Sequence, residues 1–315
     1  MPEQATPVTL DHATAAAVSP GRFDRLREIR AAEPHRVAEV LASRTRRLPV
    51  EGDGRLFIVA ADHPARGALG VRSERMAMAD RHDLLRRLVV ALGRPGVDGV
   101  LGTPDIIDDL ALLGALDGKV VVGSMNRGGL QGASFELDDR FTAYSARSIV
   151  DSRLDFAKLL VRIGLGDPGT AATLEATARA VTESAALRLP IMLEPFMSER
   201  RDGRIVNDLS PEAVITSVAI SSGLGESSAY SWLKLPVVDE MERVMASTTL
   251  PTLLLGGDPA GHPDETYARW ADALALPGVR GLVVGRTLLY PSDGDVASAV
   301  DVAAGLVHVG EPARR

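Results

Sequence analysis

The chain has 315 residues, 45% of them hydrophobic, a formal net charge of −7 and no cysteine. That hydrophobic share is ample for a large core, and the acidic balance argues against sequence-independent nucleic-acid binding, which wants a basic face. The missing cysteines exclude disulfides, thiolate metal sites and a cysteine nucleophile.

The amino terminus, MPEQATPVTLDHATAAAVSP, has no basic start and no apolar core, so it does not read as a signal peptide. No apolar run approaches the roughly 20 residues that a membrane helix needs. A soluble cytoplasmic protein is expected, with neither nucleic acid nor membrane as a partner. The six histidines are scattered without a close-spaced pair, so no metal or other cofactor is expected.

Residues 1–20 read as a loose arm. FDRLREIRAAEPHRVAEVLASRTRR (23–47) has helical periodicity with a break near Pro34 and precedes the first strand, so it is expected to pack outside the main fold. An alternation then begins. LFIVAADHP (56–64) is a buried strand and SERMAMADRHDLLRRLVVAL (73–92) an amphipathic helix. GVDGVLGTP (96–104) and KVVVGSMN (119–126) are the second and third strands, with a short helix between them reaching Leu113. A Gly-rich loop precedes a helix at 142–154; FAKLLVRIG (156–164) is the fourth strand, followed by a helix at 170–187. LPIMLEPF (189–196) is the fifth, followed by the polar loop SERRDGRIVNDLS and a helix opened by Ser210-Pro211, a cap residue with proline at the first helical position. AYSWLKLP (229–236) is the sixth strand, with the helix VVDEMERVMAS after it. PTLLLGGD (251–258) is the seventh and VRGLVVGR (279–286) the eighth, each followed by a helix.

Eight apolar strands, each followed by a helix, in one stretch of about 250 residues give the length and rhythm of a (β/α)8 barrel. The strands are continuous apolar runs, as parallel strands covered on both faces should be. A doubly wound sheet alternates too, but its Gly-rich fingerprint is replaced after the first strand by ADHPARG. The expected fold is therefore α/β, a single TIM barrel over residues 51–315, with an arm and an additional N-terminal helix over residues 1–50. That helix has two uses open to it, capping the barrel or meeting a partner subunit in a homo-oligomer.

Chemistry in a barrel sits at the carboxyl ends of the strands. There the sequence places Asp62 and His63, Ser124 and Asn126, Lys158 and Arg162, Glu194, Lys234, Gly256-Gly257-Asp258, and Gly285-Arg286. The chain has only three lysines, Lys119, Lys158 and Lys234, against thirty-two arginines, so ordinary solvated charge is carried by arginine. Two of the three interrupt apolar runs, FAKLLV and SWLKLP. A buried ammonium is costly unless paired, and a neutral amine is a nucleophile toward carbonyls, which arginine is not.

Lys234 is thus read as a Schiff-base lysine, against the plainer reading of a side chain that snorkels out at a strand end. Lys158 lies nearer mid-strand and can equally be the charged partner of Glu194 or Asp62. Strands four and six are both even-numbered and fill the same layer of a barrel, so the two amines can approach each other. Glu194 and Asp62 serve either as acid–base groups or as salt bridges at the rim; His63 reads as a rim hydrogen-bonder. Gly256, Gly257, Gly285 and Arg286 close strands seven and eight, where a phosphate can be held by backbone N–H groups and an arginine. The bland alternative there is two tight turns and a surface arginine.

These motifs resemble the class I, Schiff-base aldolases of the deoxyribose-phosphate aldolase, FbaB and LacD group, over about Leu56 to Tyr290. SWLKLPVV is similar to the strand bearing the Schiff-base lysine, which implies Lys234. DFAKLLVRIG is similar to the segment with a second active-site lysine, which implies Lys158. IMLEPF implies Glu194 as a catalytic glutamate, and ADHP implies Asp62. LLLGGD and LVVGRTLL imply phosphate contacts at Gly256, Gly257, Gly285 and Arg286. The resemblance implies a carbon–carbon lyase acting on a phosphorylated keto sugar or sugar acid. Its members include the aldolase of inositol breakdown that cleaves 5-dehydro-2-deoxy-6-phosphogluconate to dihydroxyacetone phosphate and malonate semialdehyde. The helix at 23–47 and the HPARG after Asp62 depart from the group. Two rivals stand beside this reading: a metal-assisted aldolase or lyase using His63, Glu194 and Asp258, and a non-catalytic sugar-phosphate-binding barrel. The loops Gly128–Asp139 and Ser198–Leu209 are the expected determinants of specificity.

Overall fold

The computed structural model describes residues 19–126, 129–256 and 263–308. Eight parallel strands close into a barrel: β1 (Leu56–Ala60), β2 (Gly99–Gly102), β3 (Val120–Ser124), β4 (Phe156–Ile163), β5 (Ile191–Arg201), β7 (Ser231–Pro236), β8 (Thr252–Leu255) and β9 (Val279–Val284). Each pairs with its neighbour, and β1 pairs with β9 to complete the ring. β6 (Arg204–Asn207) stands outside the ring as the second arm of an antiparallel hairpin with β5.

The period of two in the strands sorts their side chains into two cores. Outward positions pack against the surrounding helices, for example Phe57 and Val59 of β1, Leu159 and Val161 of β4, and Leu233 and Leu235 of β7. Inward positions form a separate cluster with Leu56, Ile58, Val120, Val122, Phe156, Met192, Leu253 and Val283, on which Trp232 packs. Trp232 meets Phe156 edge-on, with ring centroids 5.4 Å apart. This apolar layer is the floor on which the site rests.

Two helices, α1 (Pro20–Ala32) and α2 (Arg36–Ser43), precede the barrel where the sequence suggests one broken helix; the break falls at Pro34. Phe23 stacks on His82, with centroids 4.3 Å apart, and Arg30 donates to Asp109 at 2.8 Å, so α1 lies on the outer helices α3 (Arg81–Leu92) and α4 (Pro104–Leu112). The chain after α2 then crosses the amino-terminal end of the barrel. Arg44 and Arg46 reach Asp155, at 2.6 and 2.8 Å, and Arg47 reaches Asp98 at 2.6 Å. Asp98 and Asp155 immediately precede β2 and β4, and each also accepts a strand N–H, from Phe57 and Val121 respectively.

Several helices are shorter than their sequence pattern suggests. α3 starts at Arg81 because Asp80, in extended conformation, accepts the Asp83 N–H and closes the helix behind it. The helix expected over 142–154 is α5 (Ala146–Asp151), bounded by the Ser145–Ser148 capping box and by Arg153 at φ 57°. After β4 and α6 (Gly169–Ala186), α7 (Pro211–Ser222) opens as predicted, with Ser210 accepting from Ala213 N–H. α8 (Met241–Met245) is cut short by Glu240 in the left-handed region. α9 (Pro263–Leu274), α10 (Arg286–Leu289) and α11 (Val296–Val307) complete the chain.

The polar segment after β5, read from sequence as a loop, is instead the β5–β6 hairpin. Asp202 and Gly203 have φ of 50° and 75°, the two positive values that a tight two-residue turn requires. No described helix is long and apolar enough to cross a membrane.

Candidate active site

One step above the apolar floor, the same inward faces become ionisable. Phe156 is followed two residues later by Lys158, Met192 by Glu194, and Trp232 by Lys234, because alternation keeps each pair on one face. Three strands thus deliver three charged groups to one level of the barrel. Lys158 Nζ lies 2.5 Å from Glu194 Oε2 and 3.1 Å from Asp62 Oδ2. Lys234 Nζ contacts Glu194 Oε1. One carboxylate therefore bridges two amines, and the second amine is also paired with Asp62.

Asp62 follows β1 and accepts from Ser124 Oγ at 3.2 Å. His63 Nδ1 stands 3.7 Å from Asp62 Oδ1. Lys158 and Asp62 are fully buried, Lys234 is 3% exposed and Glu194 7%. Two lysines and two carboxylates in this volume can balance charge without solvent, which is the condition under which ionised groups tolerate burial. The arrangement can bring an amine to the cavity surface and exchange a proton with a carboxylate already touching it.

A cavity of about 590 Å³ opens above these residues and is lined by Lys234, Glu194, His63, Gly256, Gly285 and Arg286, among others. All four residues expected to be catalytic therefore lie together. The expected phosphate residues Gly256, Gly285 and Arg286 face the same cavity; Gly257, and Asp258 beside it, lie outside the described residues. The two glycines also have a packing reason. A Cβ at Gly256 would strike Val284, and one at Gly285 would strike the Ala60 carbonyl of β1. Arg286 Nη1 donates to the Gly70 carbonyl at 3.3 Å.

Two other polar strand ends turn out to be architectural. Asn126 accepts from Leu160 N–H and donates to the carbonyls of Leu160 and Asp139, which fixes the loop after β3 onto β4. Arg162 holds Asp139 through both carboxylate oxygens, at 2.9 and 2.7 Å, and donates to the Glu136 carbonyl. It fronts the cavity, yet its guanidinium is occupied by the chain's own loop.

Sequence reasoning passed over Arg66, Arg269, Phe196 and Asn207, which also line the cavity. Phe196 has a legible signal, being two residues beyond Glu194 on the same face. Asn207 has one too, the Asp202-Gly203 turn that folds it back beside Ser198.

No curated protein matches the chain. The solved structure of Cgl0159 from Corynebacterium glutamicum is 68% identical, covers 92% of this chain and 98% of its own, and superposes with a TM-score of 0.90. Two more distant structures share the fold. One is a Schiff-base-forming fructose-1,6-bisphosphate aldolase at 18% identity and TM-score 0.63, covering 86% of this chain and 100% of its own. The other is a fructose-bisphosphate aldolase from Slackia heliotrinireducens at 12% identity and TM-score 0.64, covering 96% and 92%. A family model described as Cgl0159-like matches residues 54–304, the whole barrel, and the chain belongs to the Cgl0159-like family.

Proposed function

We propose that the chain is a class I aldolase, a carbon–carbon lyase that cleaves a phosphorylated keto sugar or sugar acid through a Schiff base on Lys234. The observation that carries this reading is one buried carboxylate, Glu194, in contact with two buried amines at the mouth of a barrel. A structural ion pair needs one lysine. A second lysine on the same carboxylate supplies both a nucleophile and a neighbouring proton carrier.

The Lys234 amine, as free base, adds to the substrate ketone and forms a carbinolamine; loss of water gives an iminium. Glu194 takes the proton of the hydroxyl on the far carbon of the bond to be broken. That oxygen becomes the carbonyl of the departing aldehyde, and the electrons of the broken carbon–carbon bond move to the iminium nitrogen, leaving an enamine. Protonation of the enamine carbon and addition of water restore the amine and release the second carbonyl product. Lys158 and Asp62, in contact with each other, carry protons during formation and loss of the carbinolamine.

The phosphate is placed by this reading at Gly256, Gly257, Gly285 and Arg286. The likeness to Schiff-base fructose-1,6-bisphosphate aldolases supports the barrel as a scaffold for such chemistry. Within the proposal, 5-dehydro-2-deoxy-6-phosphogluconate is the first substrate to try, with fructose, tagatose and sulfofructose phosphates beside it. The test is retro-aldol cleavage across that panel together with borohydride trapping. The expected result is a mass increment on the peptide containing Lys234 and none in Lys234→Ala. An unmodified Lys234 in turning-over enzyme would overturn the proposal.

A further inference from the structure

The aldolase reading accounts for one end of the cavity and leaves the other unassigned. Round the barrel the strands run β9, β8, β7, β5. A substrate joined to Lys234 on β7, with its phosphate toward Gly256 after β8 and Gly285 after β9, must extend its remaining carbons the opposite way. That direction lies under β5 and the hairpin it forms with β6. The fragment found there is the one released as the aldehyde.

On that side β5 overshoots the barrel. Glu194, Phe196 and Ser198 share one face of the strand, and Ser198 stands about 13 Å along the strand from Glu194 at roughly 3.3 Å per residue. The hairpin turns back so that Asn207 pairs with Ser198. Phe196, Ile205, Leu209 and Asn207 line the cavity there, and Asn207 is the polar member of that group. The Ser198 hydroxyl, itself buried, donates to Asn207 Oδ1 at 2.8 Å. That bond engages the acceptor of the carboxamide and leaves its NH2 group to the cavity. Two other polar groups nearby are committed elsewhere: Arg162 to Asp139 and the Glu136 carbonyl, and Glu136 Oε2 to the Gly132 N–H.

We propose that Asn207 is a specificity-determining residue that donates a hydrogen bond to an oxygen on the departing aldehyde, with Ser198 as the residue that positions it. This rests on the aldolase reading and deepens it: the aldehyde is hydroxylated or otherwise oxygenated beyond its carbonyl carbon, and is not a simple alkanal. A site built to pair a substrate oxygen loses that pairing when the oxygen is absent, whereas an apolar pocket would favour the alkanal.

The test runs the reaction in the direction of bond formation. Dihydroxyacetone phosphate is condensed with D-glyceraldehyde or with propionaldehyde, and kcat/KM is compared for the two aldehydes. Wild type should favour glyceraldehyde. Asn207→Asp, which removes the donor and keeps the shape, should lower the glyceraldehyde-to-propionaldehyde ratio by about tenfold. Ser198→Ala should lower the ratio in the same direction by a smaller factor. A ratio unchanged in Asn207→Asp, or both aldehydes slowed equally, overturns the assignment. Borohydride trapping of wild type with dihydroxyacetone phosphate separates the two levels. An adduct on Lys234 with an unchanged ratio sinks the role of Asn207 alone, whereas no adduct and no condensation sink the aldolase reading with a dihydroxyacetone phosphate donor, on which that role rests.

Discussion

At the amino-terminal end of the barrel, Asp98 and Asp155 are buried against Arg47, Arg44 and Arg46; at the carboxyl end, Asp62 and Glu194 are buried against Lys158 and Lys234. Both ends bury carboxylates against cations, and the choice of cation separates their uses. Arginine keeps its proton at any working pH and presents a fork of donors. At the lower end it fastens a carboxylate that also accepts a strand N–H, so β1 is pinned to the start of β2, and β3 to the start of β4. Lysine presents a compact amine that can give up a proton and attack a carbonyl. At the upper end one such amine, Lys234, lines a cavity, and a second, Lys158, lies buried behind the carboxylate they share.

The third lysine sharpens the contrast. Lys119 lies at the lower end, its Nζ donating to the Val97 carbonyl at 2.6 Å, and burial pushes its pKa down. Rarity and burial alone therefore do not mark a reactive lysine. What distinguishes Lys158 and Lys234 is a shared carboxylate beneath an open cavity.

The largest expected effect is at the upper end. Lys234→Ala should lower kcat/KM, for the substrate that the panel reveals, by about 10⁴-fold or more, because it removes the proposed nucleophile. Its melting temperature should fall far less than its activity. Glu194→Gln, assayed in the same way, should cost about 10²–10⁴-fold, the usual range for a general base. If either variant kept wild-type turnover, the upper end would be architectural like the lower.

The lower end should show the reverse pattern. Asp155→Ala leaves Arg44 buried without its carboxylate and should cost about 3–5 kcal/mol in denaturant unfolding, with kcat unchanged in the folded fraction. A loss of kcat without a loss of stability would break the division between the two ends.

The smallest effect is a pH dependence. His308 sits between Asp98 and Asp53, at 3.1 and 2.8 Å. Its hydrogen bond to Asp98 raises its pKa, burial opposes this, and Asp53 adds to the rise, which carries it from 6.5 to about 9. A folded-state pKa above the unfolded one stabilises the fold fully below about 6.5, and that contribution is lost as pH climbs through about 9. For Asp98, burial alone would raise the carboxyl, but the hydrogen bonds from His308 and Phe57 N–H outweigh it and hold it low. Its contribution is present above 3.8 and fades on acidification through the depressed value. Unfolding free energy should therefore decline between pH 6.5 and 9, and His308→Gln should flatten that decline. An unaltered slope in the variant would remove His308 from the account.

How much of this was legible in the sequence differs between elements. The strands were, since continuous apolar runs of five or six residues between helical patterns have few other solutions, and the barrel followed from their number. The meeting of Lys158, Glu194 and Lys234 was legible in part, from strand parity. The β5–β6 hairpin was not read, because the side chains of β6 alternate only between exposed and half-buried and the segment has the composition of a loop; the Asp-Gly turn was the signal that could have found it. Arg162 and Asn126 looked like site residues, and only the fold of the loop after β3 shows them holding that loop.

The sequence by itself determined where the chain would be strand or helix and which side chains would point into the barrel, because periodicity is a local property. The tertiary structure alone decided which buried charge meets which. Asp155 finds Arg44 across more than a hundred residues, and Lys158 finds both Asp62 and Glu194. Such pairings depend on the closure of the ring and on strand stagger, which no stretch of residues carries within itself.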